Sequence, residues 1–413
     1  MSSPVGPTAE PERISSLDTL RGFALLGILA MNIWSFGMPF AAYFNPTAYG
    51  DLTGANWWAW LLSHVLADQK FMTLFSMLFG AGIVLMTTRV AERGESPARL
   101  HYRRMMWLLL FGLVHAYLVW YGDILVLYAL CGMFVYPCRK LSPRTLVILG
   151  LLVISVSSLI SLAGGLSMPY WPESEVTKLE AEHWRPPQER IEQELAAYRG
   201  GWLDQMPHRV NFTLEFHSLG IWIWGVWRAG GLMLVGMALY KWGVLSAARS
   251  RAFYATCIAA GALLGIPLIL YGVHRNIAAG WSVRYSFFLG AQWNYWGSLL
   301  VSGAWLGVIL LLCKMGALAW LTSRLNAVGR MAFTNYLLHT IICTTIFYGH
   351  GFGLFGTLDR STQLLVVFGV WIFQLVASPL WLRRFRFGPF EWAWRSLTYG
   401  ARQPFRRDSA APQ

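Results

Sequence analysis

The chain is poor in charge. Asp, Glu, Lys and Arg together make up 13% of its 413 residues, against 56% hydrophobic side chains. A soluble domain carries about twice that charged share, so the composition excludes one. Cysteine is scarce and poorly spaced for chemistry. Cys131, Cys138, Cys257, Cys313 and Cys343 are odd in number and form no C-x-x-C pair, which leaves no disulfide framework and no zinc site. There is no repeated motif period and no low-complexity tract, so solenoid and tandem architectures are excluded as well. No small-residue cleavage site followed by a soluble domain succeeds the first apolar block, which is therefore expected to be a retained span.

What is plentiful is apolar and aromatic. With 22 Trp and a mean hydropathy of +0.45, the sequence predicts an all-α polytopic transmembrane bundle. At roughly 17–25 residues per span, apolar blocks begin near Leu20, Phe71, Met105, Ile124, Thr145, Leu219, Phe253, Trp293, Met331 and Gln363, giving about ten helices. The net charge of +13 resides in short clusters: Arg13 and Arg21, Arg89 to Arg104, Arg139 to Arg144, Lys241 to Arg251, Arg324 to Arg330, and Arg383 to Arg407. They fall at every second boundary, which predicts cytoplasmic termini and leaves no continuous basic face for nucleic acid.

The expected organisation is a disordered tail over 1–12, a single membrane domain over 13–400 and a disordered tail over 401–413. Within the domain, an extracytoplasmic loop at about 168–217 contains a helical stretch near Glu189 to Tyr198. The Trp-rich segment Asn56 to Ala67 is either an interfacial helix or an extension of the second span, with a break near Asp68 to Lys70. At about 383–400, alternating bases and aromatics suit a helix lying on an anionic leaflet, with membrane lipids as its partners.

Polar groups at membrane depth are costly, so those inside spans are candidates for function. Helical rise puts Asn32 and His115 roughly 16 Å above Arg21 and Arg104, near the midplane, where they could share one site. His339 falls roughly 13 Å above Arg330, and Lys70 and Asp123 roughly 28 Å from the basic boundary, which predicts a polar column through the bundle. Each candidate has a plainer alternative. His115, His339 and Asn32 could serve only as interhelical hydrogen-bonding residues. Asp18 and Arg21 could be a helix-entry acid with a snorkelling base rather than a phosphate site. Arg228, among Trp222, Trp224 and Trp227, is either a buried cation or an interface anchor. Asp123 follows a predicted turn at Gly122, and its partner is either the His115 imidazole or Lys70. His64 and His101 sit at interfaces or loops and are assigned no role.

Several segments resemble one family of bacterial membrane proteins, the YeiB family. They are RISSLDTLRGFALLGILAMNIWSFGMPFAAYFNP, FMTLFSMLFGAGI, GLVHAYLVWYGDILVLYALCG, VGRMAFTNYLLHTIICTTIFY and WLRRFRFGPFEWAWRSLTYG. The resemblance runs from about Arg13 to Gly400 and weakens over 168–217. It implies an inner (cytoplasmic) membrane location and a relationship to transmembrane acyltransferases, among them heparan-α-glucosaminide N-acetyltransferase and the OafA-like enzymes, through the shared L-D-x-x-R-G signature at the start of the first span. The implied donor is an acyl-CoA, most simply acetyl-CoA, bound near Arg21, Asp18 and Arg104. The implied acceptor is an extracytoplasmic sugar or lipid, met by Lys70, Arg228 and His339, and no metal is expected. The OafA-like pattern has a His where this chain has Asn32, and relatives often carry Gln at the position of His339. His115 and Asp123, within HAYLVWYGD, fit the YeiB pattern. On these residues His115 would take the acceptor's proton and Asn32 would stabilise the oxyanion. A transporter or flippase and a non-catalytic scaffold are the rival expectations.

Overall fold

A computed structural model describes residues 13–407. Among them the principal helices are α1 (Ser15–Gly37), α2 (Gly54–Leu66), α3 (Lys70–Glu92), α4 (Pro97–Leu118), α5 (Leu125–Val135), α6 (Pro143–Ser167), α7 (Gln188–Arg199) and α8 (Met206–Glu215). They continue as α9 (Val226–Lys241), α10 (Arg251–Ala260), α11 (Ile266–Ala278), α12 (Ala291–Met315), α13 (Ala319–Arg330), α14 (Ala332–Phe347), α15 (Arg360–Arg384) and α16 (Pro389–Tyr399). Local chemistry sets their limits. Ser142 caps α6 and Asp359 caps α15 by accepting the backbone N–H groups of Thr145 and Thr362. Gly316, at a φ of +65°, and Gly400, at +68°, end α12 and α16 in the left-handed conformation that suits glycine.

Seven helical segments are long and apolar enough to cross a membrane: Ser15–Gly37, Gly54–Glu92, Pro143–Tyr170, Met206–Lys241, Arg251–Ala278, Val283–Met315 and Arg360–Arg384. They account for seven of the ten expected blocks. The other three fall in α4, whose first turns carry Arg99, Arg103 and Arg104, and in the shorter α5 and α14. The block expected to begin near Leu219 starts earlier, at Met206, because α8 runs through wide π-type turns into α9. Segment 56–67 is helical, as α2, and the chain breaks at Ala67–Gln69, where Gln69 adopts a φ of +64°.

Helix α1 occupies the centre, packed by α3, α12, α13, α14 and α15. Leu20, Leu25, Leu29, Ile33 and Trp34 are buried along it, whereas Leu152, Leu159, Leu263, Leu264, Leu365 and Ile372 stand exposed on the outer helices as a lipid-facing belt. Two crossings are so close that only glycine fits. A Cβ on Gly22 would lie 1.9 Å from the Leu325 carbonyl oxygen, and one on Gly329 would lie 1.8 Å from that of Asp18. The glycine of the L-D-x-x-R-G signature is thus a packing requirement of the α1–α13 contact.

Hydrogen bonds gather the helix ends into two faces. At the basic end, Asn326 meets the Ser15 carbonyl, Lys241 that of Leu141, Lys314 that of Ala247, and Trp394 that of Arg104. At the opposite loop end, Arg360 meets the carbonyls of Pro46, Tyr49 and Asp51, Arg199 that of Phe355, and Asn45 that of Trp184. The tail expected from 401 is docked as far as 407: Phe385 pairs with Arg406 in an isolated antiparallel bridge, and Trp392 donates to the Gln403 carbonyl. Residues 1–12 and 408–413, the remaining tail assignments, lie outside the described residues.

Candidate functional site

Helices α4 and α5 form a hairpin whose tip, Val119 to Ile124, folds back into the bundle with Trp120, Tyr121 and Asp123 buried. The turn brings Asp123 to the imidazole eight residues before it. His115 Nδ1 lies 2.8 Å from Asp123 Oδ1, and the second carboxylate oxygen accepts the Val126 N–H at 2.8 Å. Asp123 therefore pairs with His115, and the alternative pairing with Lys70 does not form. An ionised carboxylate can only accept, so in a neutral ring beside it Nδ1 carries the proton and Nε2 is the acceptor. The group that Nε2 meets is the hydroxyl of Thr340 on α14, at 3.0 Å. The result is an Asp–His–hydroxyl chain with 4%, 3% and 1% exposure of its three residues.

Aromatic residues surround the chain. The Tyr336 ring lies 5.4 Å from the imidazole and its hydroxyl accepts the Ile124 N–H, while Trp120 stands edge-on at 6.3 Å and stacks on Phe36 at 4.0 Å. The indole N–H of Trp120 is buried and, among the described residues, meets no acceptor. The last carbonyls of α4 are satisfied from the loop end: Arg209 and Trp202 both donate to the Leu118 carbonyl at 2.9 Å, and Thr213 to that of Ala116. Helix α8 and the loop before it thereby cover the hairpin tip, joined by Tyr198 of α7, whose ring lies 6.3 Å from that of Tyr121. Glu194 of α7 accepts the Phe40 N–H at 2.9 Å, and burial pushes its carboxyl up to about 7.

A second polar cluster gathers at the α2–α3 break. Lys70 Nζ donates to the His64 carbonyl at 2.6 Å and to Asn294 Oδ1 at 2.5 Å, and Asn294 donates in turn to Asp68. Asp68 also lies 3.2 Å from His64 Nδ1. Arg228 is a fully buried cation, not an interface anchor: it donates to the Tyr295 carbonyl, Ser298 and Thr73 and lies 4.3 Å over the Tyr295 ring. The polar column expected from depth counting is thus two networks, with no hydrogen bond joining them among the described residues.

The other candidates are placed as follows. Asn32 is half-buried on α1 and makes no hydrogen bond to His115, whose ring nitrogens are taken by Asp123 and Thr340. His339 points its Nε2 at Gln374, which donates to the Asn335 carbonyl and ties α14 to α15. At the basic end Asp18 binds both Arg13 and Arg21, and Arg104 lies 4.4 Å over Trp394 within electrostatic reach of Arg21 and Arg395. Glu391 accepts the N–H groups of Phe333 and Thr334 and so caps α14, and with Asp18 it lies within electrostatic reach of Arg395. A cleft of about 540 Å³, lined by Ser15, Ser16, Thr19, Ser246, Thr322 and Asn326, opens at the same end. Sequence reasoning missed Thr340, Glu391 and Arg209. Thr340 is one of several span threonines, and only its contact with His115 singles it out.

Comparison with known proteins gives consistent relatives. Residues 239–401 match a family model described as a protein of unknown function, DUF418. YeiB of Escherichia coli is 32% identical over 395 residues, covering 95% of this chain and 98% of that protein. YxaH of Bacillus subtilis is 32% identical over 428 residues, covering 98% and 99%. With the same 32% identity to both across nearly the whole length of each, the chain belongs to the DUF418 family of YeiB and YxaH, as a helical integral membrane protein.

Proposed function

We propose that this protein is a membrane acyltransferase that takes an acyl group from an acyl-CoA at the basic, cytoplasmic end and gives it to a sugar or lipid acceptor entering from the loop end. The observation that carries the reading is the Asp123–His115–Thr340 chain, an imidazole oriented by a carboxylate on Nδ1 with its Nε2 against a hydroxyl. That arrangement suits removal of a proton from a hydroxyl as it attacks a carbonyl. His115 is the general base, and Asp123 fixes its tautomer and orientation.

The basic end supplies the donor side. Arg13, Arg21, Arg104 and Arg395 outnumber the acids beside them, Asp18 and Glu391, an arrangement suited to the phosphates of coenzyme A, and the hydroxyl-lined cleft adds a polar recess. For the developing oxyanion the reading has two donors, Asn32 and the Trp120 N–H, which Asn32→Ala separates. On the acceptor side, Lys70 and Arg228 share one carboxylate, Asp68, and this excess positive charge favours an acceptor with an anionic group. His339, bonded to Gln374, belongs to the helix joint beside the site.

The test is acetyl-CoA binding and turnover by the protein purified in nanodiscs. Saturable binding lost in Arg21→Ala, with turnover lost in His115→Gln, supports the reading. A folded preparation that binds neither acetyl-CoA nor longer acyl-CoAs removes it. A transport reading draws on one observation, the α2–α3 interruption with its buried Lys70 and Arg228. Solute flux in proteoliposomes without any CoA consumption would favour it.

A further inference from the structure

We propose that Thr340 carries the acyl group between the two substrates, as a threonyl ester formed and resolved at His115. This inference rests on the acyl-transfer reading above and adds a covalent intermediate to it. Thr340 lies eight residues from Ala332, where α14 is capped by Glu391 at the basic end, and eight from Tyr348, which packs against Tyr198 of the loop-end cover. At helical rise that is about 12 Å from either limit. The hydroxyl thus stands midway between the end that suits a CoA donor and the end that suits an extracytoplasmic acceptor.

The acceptor nitrogen of His115 is already engaged by Thr340 at 3.0 Å, so an external hydroxyl could be activated directly only after displacing it. The Thr340 hydroxyl itself needs no displacement, because it is the group placed to lose its proton to Nε2. His115, Asp123 and Thr340 are at most 4% exposed and lie beneath the α7–α8 cover. A covalent carrier requires only one substrate at a time in so enclosed a site.

The chemistry balances without any further reactant. In the first half, Thr340 Oγ1 gives its proton to His115 Nε2 and forms a C–O bond to the thioester carbonyl carbon. The C–S bond breaks, and the departing CoA sulfur takes the proton from His115, leaving the threonyl ester and free CoA thiol. In the second half, the acceptor hydroxyl or amine loses a proton to Nε2 and bonds to the ester carbonyl carbon. The bond to Oγ1 then breaks, and Oγ1 recovers the proton. The Asp123 carboxylate stabilises the imidazolium in both halves and changes no bonds.

The experiment incubates the nanodisc-embedded protein with radiolabelled acetyl-CoA in the absence of acceptor, then denatures it and maps covalent label by intact and peptide mass. The expected result is one acetyl group per chain on the peptide containing Thr340, removed by hydroxylamine, absent in Thr340→Val and present in Thr340→Ser. Thr340→Ser also serves as the folding control, since it keeps the hydroxyl. Acetyl transfer or CoA release by the wild type with no covalent label overturns the intermediate while leaving the acyltransferase reading intact, as does full transfer by Thr340→Val. Absence of any CoA release from a folded wild type fails the acyltransferase reading itself, and the intermediate with it.

Discussion

The two buried polar networks are built on opposite principles. At the α2–α3 break, Lys70 and Arg228 spend their donors on carbonyls, hydroxyls and the Asn294–Asp68 bridge, so the charges are held by many partners. At the α4–α5 tip the components are fewer: one carboxylate, one imidazole and one hydroxyl in series. A densely satisfied ionic cluster resists rearrangement, because breaking any contact strands a charge in low dielectric. A linear chain ending in a hydroxyl can pass a proton along its existing hydrogen bond without breaking any other contact. Substitutions in the first network are therefore expected to act mainly on stability, with weakened acceptor binding beside it, and those in the second on turnover alone.

The largest effect separating them is expected at His115. His115→Gln should lower acyl transfer by about 10²–10⁴-fold, the usual contribution of a general base, while the protein still purifies as a monodisperse species. Size-exclusion chromatography with a CoA-release assay measures both, and equal loss of fold and turnover would erase the distinction. Next, Lys70→Met or Arg228→Met should destabilise by roughly 3–5 kcal/mol, since each leaves buried polar groups without their partner. Thermal unfolding in detergent measures it, and an unchanged midpoint would show that the cluster is not structural. Asp123→Asn should leave donor binding unchanged and reduce turnover by about 10²-fold or more, with a shifted pH profile, because the amide no longer dictates the imidazole tautomer.

Smaller effects sharpen the comparison at the margins of the site. Glu391→Gln weakens the cap of α14 and should cost about 1–2 kcal/mol, read by the same unfolding assay. The loop-end cover should respond to pH through Glu194, whose carboxyl burial raises from its ordinary 4.5 to about 7. An acid with a raised folded value binds protons more tightly when folded, so its contribution to stability is complete below about 4.5 and is lost as pH rises through about 7. The protection of α7 amides, taken as exchange corrected for its intrinsic pH dependence, should therefore be higher at pH 5 than at pH 8, and Glu194→Gln should flatten the difference.

Much of this architecture is legible in the sequence because lipid imposes a strong local pattern. Apolar blocks of spanning length locate the seven long segments, and the break at Asp68 to Lys70 is marked by three consecutive polar residues between Trp-rich and Phe-rich runs. The helix at 188–199 is likewise visible in its charge pattern. Depth counting puts His115 and Asn32 at one height, but height says nothing of azimuth, and α1 turns Asn32 to no partner on His115. The turn at Gly122 leaves Asp123 two possible partners in the sequence, His115 and Lys70, and only the fold of the tip decides for His115. Thr340 lies 225 residues from His115 in the chain, and Glu391 lies 58 from the helix it caps. Such pairings exist only once the helices have packed, so no local pattern announces them.

The central claim is that the Asp123–His115–Thr340 chain transfers acyl groups, and the most direct measurement is single-turnover CoA release from acetyl-CoA by the nanodisc-embedded wild type, His115→Gln and Thr340→Val proteins. The account predicts release by the wild type and none above background from either variant, with all three equally folded. Equal release from all three would contradict it and move the chemistry elsewhere in the molecule.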